Sequence, residues 1–181
     1  MLLIIILQRL VGTDDSIRAL VWIPNGETER LLSAGLGGSV VEWDLTTLKE
    51  KRKCDSYAGP IWSLSLSRSG EFLAVGCESG KVTWLDVSDG ALQYKKSFQP
   101  AGKGTFALVF LIYNLFRALK CKIIGKILCL SWGKGDKELV TGGSDGCIRI
   151  FDTLTGRSTS KMAVSKSKRK RAVLWAVSVL R

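Results

Sequence analysis

A sequence repeat, present in three copies, is the feature that most constrains the fold of this 181-residue chain. The copies begin at Ile17, Ile61 and Ile127, where the sequence reads IRALVWIPNG, IWSLSLSRSG and ILCLSWGKGD. Each continues into a second apolar stretch, RLLSAGLGGSVVEWDL, EFLAVGCESGKVTWLDV or KELVTGGSDGCIRIFDT. A period of about 40–45 residues is typical of propeller blades. The repeat therefore predicts several similar units that pack against one another.

Each copy has the pattern of antiparallel β-strands. Apolar residues alternate with small or polar ones along Trp62–Ser67 and Leu128–Trp132, which is the period of a strand. Between two such stretches lie Gly37-Gly38, Ser79-Gly80 and Asp145-Gly146, where a two-residue hairpin needs positive φ and hence glycine. One such meander cannot bury both of its faces, so we predict an all-β propeller, incomplete, with about three blades and the start of a fourth.

A glycine and an aspartate stand at the same spacing in every copy. The aspartate stands six positions after the glycine in each pair, which are Gly38 and Asp44, Gly80 and Asp86, and Gly146 and Asp152. Aspartates can serve as catalytic acids, but one per blade at even spacing favours a structural role. We interpret these six residues as repeat positions, with the aspartates as turn acceptors for backbone amides.

The repeats divide the chain into segments. The predicted segments are an N-terminal strand-like segment at 1–16, blade 1 at 17–58, blade 2 at 59–104, a hydrophobic insertion at 105–125, blade 3 at 126–165, a basic loop at 166–172 and the start of blade 4 at 173–181. The apolar start, MLLIIILQRLV, lacks a basic leader and an A-x-A-like cleavage site, so we interpret it as a buried strand rather than a secretory signal.

The insertion TFALVFLIYNLFRALKCKIIG, at 105–125, interrupts the period. Its apolar core is 14 residues long and contains Asn114 and Arg117, whereas a membrane-spanning helix needs about 20 residues. No membrane association is expected. An amphipathic helix on the propeller face and an unspliced intron translated in frame both remain open.

The composition argues against an enzyme. The chain has no histidine, no G-x-S-x-G, no phosphate-binding loop and no paired-carboxylate motif, so we expect no catalytic residue, cofactor or small-molecule substrate. The five cysteines form no C-x-x-C pair, which predicts reduced, buried thiols and no metal site. The six tryptophans recur at repeat-equivalent positions, which favours packing between blades over a stacking platform for nucleic acid.

The positive charge is concentrated near the end of the sequence. The chain carries 27 basic and 16 acidic residues, a net charge of +11, which favours polyanionic partners. The densest run is the KSKRKR sequence, with Lys166, Lys168, Arg169, Lys170 and Arg171. It is either a solvated loop that aids solubility, or a nuclear-import signal or phosphate-contacting patch for RNA.

The ending WD at Trp43-Asp44, with LD at Leu85-Asp86 and FD at Phe151-Asp152, resembles the WD-repeat signature. The usual Gly-His is replaced by Gly12-Thr13 and Gly59-Pro60, so the repeats are divergent. More narrowly, LLSAGLGGSVVEWDL, the following blade sequences and SKRKRAVLWAV resemble the early blades of the cirhin family, subunits of the small-subunit processome.

This resemblance implies a scaffold in the nucleus and nucleolus that supports ribosomal DNA transcription and early processing of pre-ribosomal RNA. The implied partners are other processome proteins and pre-ribosomal RNA, contacted directly or indirectly. Because family members have whole propellers, we expect a truncated gene product or gene model. The alternative is a WD-repeat adaptor, such as a substrate receptor for ubiquitin ligation or a chromatin-peptide reader, since propellers host many functions.

Overall fold

The structure, a computed structural model, describes residues 10, 12–24, 29–98, 125–164 and 173–177. These ranges contain two short 3-10 helices, Ser88–Gly90 and Lys134–Asp136. Their strands are β1 (Ile17–Ile23), β2 (Arg30–Gly35), β3 (Ser39–Asp44), β4 (Lys49–Asp55), β5 (Ile61–Leu66), β6 (Phe72–Cys77), β7 (Val82–Asp86), β8 (Gln93–Phe98), β9 (Ile127–Trp132), β10 (Glu138–Gly143), β11 (Cys147–Asp152) and β12 (Ser158–Ala163).

The strands form three antiparallel sheets of four strands each. Their strand orders are β1-β2-β3-β4, β5-β6-β7-β8 and β9-β10-β11-β12, and these sheets are blades 1, 2 and 3 below. Each is a meander, because every strand pairs with its neighbour in the sequence. The predicted all-β class and partial propeller are confirmed.

Blade 1 packs on blade 2 through a continuous apolar cluster. Leu32 and Val40 of blade 1 and Ile61, Leu73 and Leu85 of blade 2 belong to it, each with 0% of its surface exposed. Burial of aliphatic side chains of this size contributes about 1.5–3 kcal/mol each. This interface is therefore part of the core rather than a contact between separate domains.

Blade 3 packs on blade 2 through aromatic residues. The ring of Trp84 on β7 lies 5.2 Å from that of Trp132 on β9 and 5.1 Å from that of Phe98 on β8, measured between centroids. The indole Nε1 of Trp132 donates to the carbonyl oxygen of Ser65 at 2.8 Å. The two contacts of Trp132 join the first strand of blade 3 to the strands of blade 2.

Blade 2 is buried on both faces, unlike a sheet that exposes one face to solvent. Almost every residue of β6 and β7 is buried, because blade 1 covers one face of this sheet and blade 3 covers the other. The outer strand β4 is instead exposed along nearly its whole length. Burial therefore falls from the middle strands of a blade to its rim.

One apolar face remains uncovered by the described residues. On β1, Leu20 is 64% exposed and Trp22 is 45% exposed, whereas their repeat equivalents Leu130 and Trp132 are buried against blade 2. In a propeller this face of a blade packs on the blade that precedes it. No described residue occupies that position beside blade 1.

The tryptophans divide accordingly. Trp43, Trp84 and Trp132 are buried in or between blades, as the repeat predicts. The prediction of core packing is wrong for Trp22 and Trp175, which are exposed because no described residue covers the faces on which they lie.

The predicted first strand of a fourth blade is not formed in the described residues 173–177. The segment nevertheless packs on blade 3, because a Cβ added at Gly142 would lie 3.0 Å from Cβ of Leu174. At the equivalent Gly76, the added Cβ would meet the side chain of Ile127, the first residue of blade 3. Leu174 therefore occupies the place of a first-strand residue, and no described residue pairs with it as the second strand of a fourth blade.

Other predicted segments lie wholly or largely outside the described residues. Of the N-terminal strand-like segment, residues 10 and 12–16 are described and are not in a strand. Of the insertion, only Gly125 is described. The basic loop lies outside the described ranges, between β12 and 173–177.

A glycine at the junction of blades 2 and 3 gives a first prediction. Gly156 has φ +68°, and a Cβ there would overlap the ring of Phe98. Changing Gly156 to alanine combines an unfavourable backbone conformation with overpacking, and each costs about 1–3 kcal/mol. We expect a clear fall in the midpoint of unfolding in urea, measured by tryptophan fluorescence.

The matched control is Gly135→Ala in the same blade. Gly135 has φ +64°, with nothing within 4 Å of the added Cβ, so this variant carries the backbone cost alone. Equal destabilisation by the two variants would show that the contact with Phe98 does not constrain the junction.

Candidate interaction surfaces

The sequence predicted one partner-binding segment, the basic loop at 166–172. This loop lies outside the described residues. Lys166, Lys168, Arg169, Lys170 and Arg171 therefore have no structural account. The flanking segments are β12, the exposed outer strand of blade 3, and residues 173–177, which pack on its first two strands through Leu174. The loop thus connects the rim of blade 3 to its inner side.

The three repeat glycines lie in the hairpins between the second and third strands of the blades. Gly38, Gly80 and Gly146 have φ of +78°, +77° and +73°, a left-handed conformation that glycine adopts without steric cost. In each hairpin the glycine N–H donates to the carbonyl three residues earlier, at Gly35, Cys77 or Gly143, respectively. The tight hairpin brings two middle strands into one sheet.

Each repeat aspartate is the last residue of the third strand of its blade. Asp44 Oδ1 accepts from the backbone N–H groups of Thr46 and Thr47, at 2.8 and 3.2 Å. Asp152 Oδ1 accepts from N–H and Oγ1 of Thr155, and Asp86 accepts from Ser88. The bonds from Thr46 and Thr47, from Ser88 and from Thr155 lower the pKa of the respective carboxyl groups. These aspartates cap turns and are not grouped as a catalytic pair would be.

A buried ion pair joins blades 1 and 2, and the repeat pattern did not reveal it. Glu42 on β3 is 1% exposed, and its two carboxylate oxygens accept from Nε and Nη2 of Arg30 at 3.1 and 2.9 Å. Arg30 also donates to the carbonyl oxygens of Val87 and Ala91 in blade 2, both at 2.7 Å. We call this arrangement the Arg30 clamp. It satisfies two carbonyls of blade 2 with a side chain of blade 1.

Further cations surround the carboxylate of Glu42. Lys51 Nζ lies 3.4 Å and Arg52 Nε 3.2 Å from its oxygens, and both side chains reach it from the exposed outer strand β4. Burial by itself would raise the pKa of Glu42, but the hydrogen bonds and charge of Arg30, with the charges of Arg52 and Lys51, hold that pKa below its usual value. Glu42 therefore stays ionised inside the fold.

A cluster of charge and aromatic surface joins all three blades at the start of their first strands. The ring of Trp62 lies between the guanidinium of Arg18, 4.4 Å from its centroid, and the ammonium of Lys126, at 4.5 Å. Lys126 also forms an ion pair with Glu78 at 2.7 Å. Cation–π contacts at exposed sites contribute about 0.5–1 kcal/mol each. The cluster links the inner strands of the three blades, and its ring already contacts two cations.

Blades 2 and 3 are joined by polar contacts from a loop. The carboxylate of Asp136, between β9 and β10, accepts from the backbone N–H groups of Arg68 and Ser69, both at 2.9 Å. Lys96 Nζ donates to the carbonyl of Thr153 at 3.1 Å. Each interface between blades thus combines an apolar core with a few specific polar contacts near its edge.

The described residues contain little that could support chemistry. No three or more acidic or cysteine side chains in these ranges are grouped to hold a metal ion. Burial raises the pKa of Cys77 to about 11, so its thiol stays protonated near neutral pH. Within the same ranges, no helix is long and apolar enough to cross a membrane. The surfaces that remain are the exposed blade rims and blade faces, which suit binding.

The Arg30 clamp gives a second prediction. Glu42→Gln leaves Arg30 with a weaker acceptor, so we expect the free energy of unfolding at pH 7 to fall by about 1–3 kcal/mol in urea titrations. The pKa of Glu42 is lowered in the fold, so its stabilising contribution is present above the unfolded pKa of about 4.3 and is lost as pH falls through the folded value. The difference between wild type and variant should therefore shrink in acid.

Glu50→Gln on β4 is the control, because it removes one acidic charge from an exposed position. Surface changes of this kind usually stay within about 0.5 kcal/mol. A difference between wild type and Glu42→Gln that is constant from pH 7 to pH 3 would contradict ionised Glu42 as the source of the stability.

The comparisons with known proteins agree with this geometry. The family described as "WD domain, G-beta repeat" matches residues 48–84 and 119–152. The first match begins just before the outer strand β4 of blade 1 and runs into β7 of blade 2. The sequence repeat is therefore offset from the sheet by one strand, so a single repeat links two blades covalently.

Several curated relatives are similar along most of the chain. The chain is 33% identical over 167 residues to the U3 small nucleolar RNA-associated protein 4 homolog of Homo sapiens, covering 90% of this chain and 20% of that protein. It is 34% identical over 175 residues to the U3 small nucleolar RNA-associated protein 4 of Saccharomyces cerevisiae, covering 93% of this chain and 20% of that protein. The chain thus spans about a fifth of the length of these relatives.

Solved structures share the fold. The structures described as U3-55K and as the RRP9 WD40 repeats each match with a TM-score of 0.66 at 14% identity, covering 94% of this chain and 44% of theirs. At 14% identity the match shows a shared fold and nothing about function. Together with three four-stranded blades, the hairpin glycines and the turn aspartates, it leads to one assignment. The chain contains WD repeats of the family described as "WD domain, G-beta repeat", and they fold as blades of a β-propeller.

Proposed function

We propose that this chain is part of a non-enzymatic WD-repeat scaffold in nucleolar ribosome biogenesis, acting in the small-subunit processome during transcription and processing of pre-ribosomal RNA. One observation carries the proposal: similarity of 32–34% identity along at least 90% of the chain to relatives from human and two yeasts named for their association with U3 small nucleolar RNA. The ordered resemblance of the blades and the basic loop to the cirhin family supports the same assignment.

The architecture suits a scaffold. The blades present exposed outer strands, and the apolar face of blade 1 that carries Leu20 and Trp22 is available for contact. The described side chains bear no grouping with the nucleophile, base and orienting partner of an enzyme. Binding of other proteins and of RNA is the activity that such surfaces support, so the proposed partners are processome proteins and pre-ribosomal RNA, direct or indirect.

The basic loop contributes either RNA contact or nuclear import in this proposal. Lys166, Lys168, Arg169, Lys170 and Arg171 form a dense positive run without an acidic residue. Such a run attracts phosphates without reading sequence, and it matches the composition of import signals. Both roles agree with residence in the nucleus and nucleolus.

The third prediction concerns this loop. Changing Lys168, Arg169, Lys170 and Arg171 to glutamine should weaken RNA binding or nuclear accumulation and leave the urea midpoint unchanged. The slope of log affinity against log salt should become shallower, because fewer counterions are released. Filter binding across a salt series and imaging of the tagged protein measure the two effects.

A matched control removes four positive charges from blade surfaces instead. The four changes are Arg68→Gln, Lys137→Gln, Arg157→Gln and Lys161→Gln, all at exposed positions. If this control and the loop variant behave alike, net charge rather than the loop is responsible. If neither changes binding or localisation, the loop serves solubility only.

The fourth prediction concerns the cell. The full-length protein that contains this chain should reside in the nucleolus, copurify with U3 small nucleolar RNA and pre-ribosomal RNA, and slow early maturation of small-subunit ribosomal RNA when depleted. Imaging, RNA sequencing of the purified complex and pulse labelling of precursor RNA measure these outcomes. A diffuse cytoplasmic signal with normal precursor processing would reject the proposal and favour the WD-repeat adaptor, for which a ligase core or histone peptides would be recovered.

A further inference from the structure

We propose that the joint rim of blades 1 and 2 is a binding surface for single-stranded RNA. This tyrosine rim consists of the outer strands β4 and β8 and the loop after β4, and it is separate from the basic loop at 166–172. The proposal rests on the proposed function for the identity of the nucleic acid. Its location rests on the contacts described next.

The tyrosine rim is rich in exposed positive charge. Strands β4 and β8, with sequences KEKRKCD and QYKKSF, carry six basic residues and two acidic ones, a difference of +4. Lys49 and Lys53 are exposed and take part in none of the salt bridges between described residues, although Lys53 lines a hollow that also holds Asp14, Asp15 and Glu50. These side chains are available to phosphate groups, which supply most of the affinity for nucleic acid.

Two tyrosines lie side by side on the tyrosine rim. The rings of Tyr57 and Tyr94 meet edge to face, with centroids 5.2 Å apart and planes at 87°. Tyr57 is 70% exposed and Tyr94 is 41% exposed, so a ring face remains accessible to solvent. Stacking of bases on such rings, beside a positively charged track, is the usual mode of binding single-stranded nucleic acid.

The backbone holds Tyr57 outward at an energetic cost. Its φ is +52°, which is uncommon for a residue other than glycine. The N–H of Tyr57 donates to Oδ1 of Asp55 at 2.6 Å, and Ser56 is buried with its Oγ bonded to the carbonyl of Gly59. The turn is therefore fixed on both sides of the exposed ring. Unfavourable backbone conformations of this kind concentrate at functional positions.

Contacts with blade 2 fix the two strands of the tyrosine rim as one surface. Arg52 on β4 donates from Nη1 to the carbonyl of Gly90, at the end of the 3-10 helix before β8, at 2.7 Å. The Arg30 clamp ties the same turn of blade 2 to the middle of blade 1. Because β4 and β8 are held in place without a ligand, little ordering is needed when RNA binds.

Lysines on an outer strand also have a simpler role, because they prevent edge-to-edge pairing of sheets. That role explains the charges and leaves the tyrosine pair unexplained. An exposed aromatic ring on an edge favours association instead of opposing it. Charge and accessible rings together are what a flexible, single-stranded polyanion recognises.

The fifth prediction tests the rings in the full chain. The probe is a fluorescent single-stranded RNA of mixed sequence, with a duplex of equal length for comparison. Tyr57→Asn should lower affinity for the single strand at least about fivefold, because loss of one stacking residue typically has this effect. Asparagine tolerates positive φ, so the variant should keep its urea midpoint. Tyr57→Phe retains the ring and should bind like wild type.

The positive charges are tested by Lys49→Gln with Lys53→Gln. The control is Arg157→Gln with Lys161→Gln on the rim of blade 3, which removes the same charge beside no tyrosine pair. The rim variant should reduce the slope of log affinity against log salt by about 1.4, as expected for two phosphate contacts to a single strand. The control should change the slope little.

Every variant is measured both in the wild-type chain and in the chain with the basic loop changed to glutamine. The inference is overturned if Tyr57→Asn binds like wild type, if duplex and single strand bind equally, or if polyglutamate competes without any dependence on Tyr57. The last result would indicate an acidic protein partner. Each of these failures leaves the processome proposal intact, because that proposal depends on recovery of U3 small nucleolar RNA from cells.

Discussion

Covering both faces of a four-stranded sheet is the constraint on which this structure depends. A meander of four strands has two apolar faces and no core of its own, so each blade is stabilised by its neighbours. Blade 2 satisfies this constraint within the described residues, and its strands β6 and β7 are accordingly the most continuously buried. The ion pairs and aromatic contacts join neighbouring blades, and the charged outer strands form the exposed edges.

The repeat made the fold accessible to sequence reasoning because its signals are local. Hairpin glycines such as Gly80 lie within three residues of the strands that they connect, and the aspartates cap turns within three residues of themselves. Alternation along β5 and β9 follows from the same short-range geometry. The uncovered face of blade 1 was harder to predict from the sequence, because Trp22 and Trp132 have equivalent positions in the repeat but different neighbours in space.

The candidate surfaces were harder to predict because they join residues that are distant in sequence. Arg30 contacts Val87 and Ala91, which are 57 and 61 positions away, and Tyr57 meets Tyr94 from another blade. Alignment of the repeats nevertheless contains a signal. In the aligned repeats, Arg30 and Glu42 of blade 1 stand where blade 2 has Phe72 and Trp84. Two opposite charges at positions that are aromatic in the next repeat are the sequence signal of the ion pair.

That correspondence makes the two joints of the structure different in kind. At the edge of blade 2 that faces blade 3, Phe72 and Trp84 stack with centroids 5.6 Å apart. At the same place in blade 1, a charged pair bridges to blade 2. Acid weakens the charged joint, whereas cooling weakens an apolar one. A fall in pH would thus weaken the edge of the first joint, while the apolar cluster between blades 1 and 2 still holds the two sheets together.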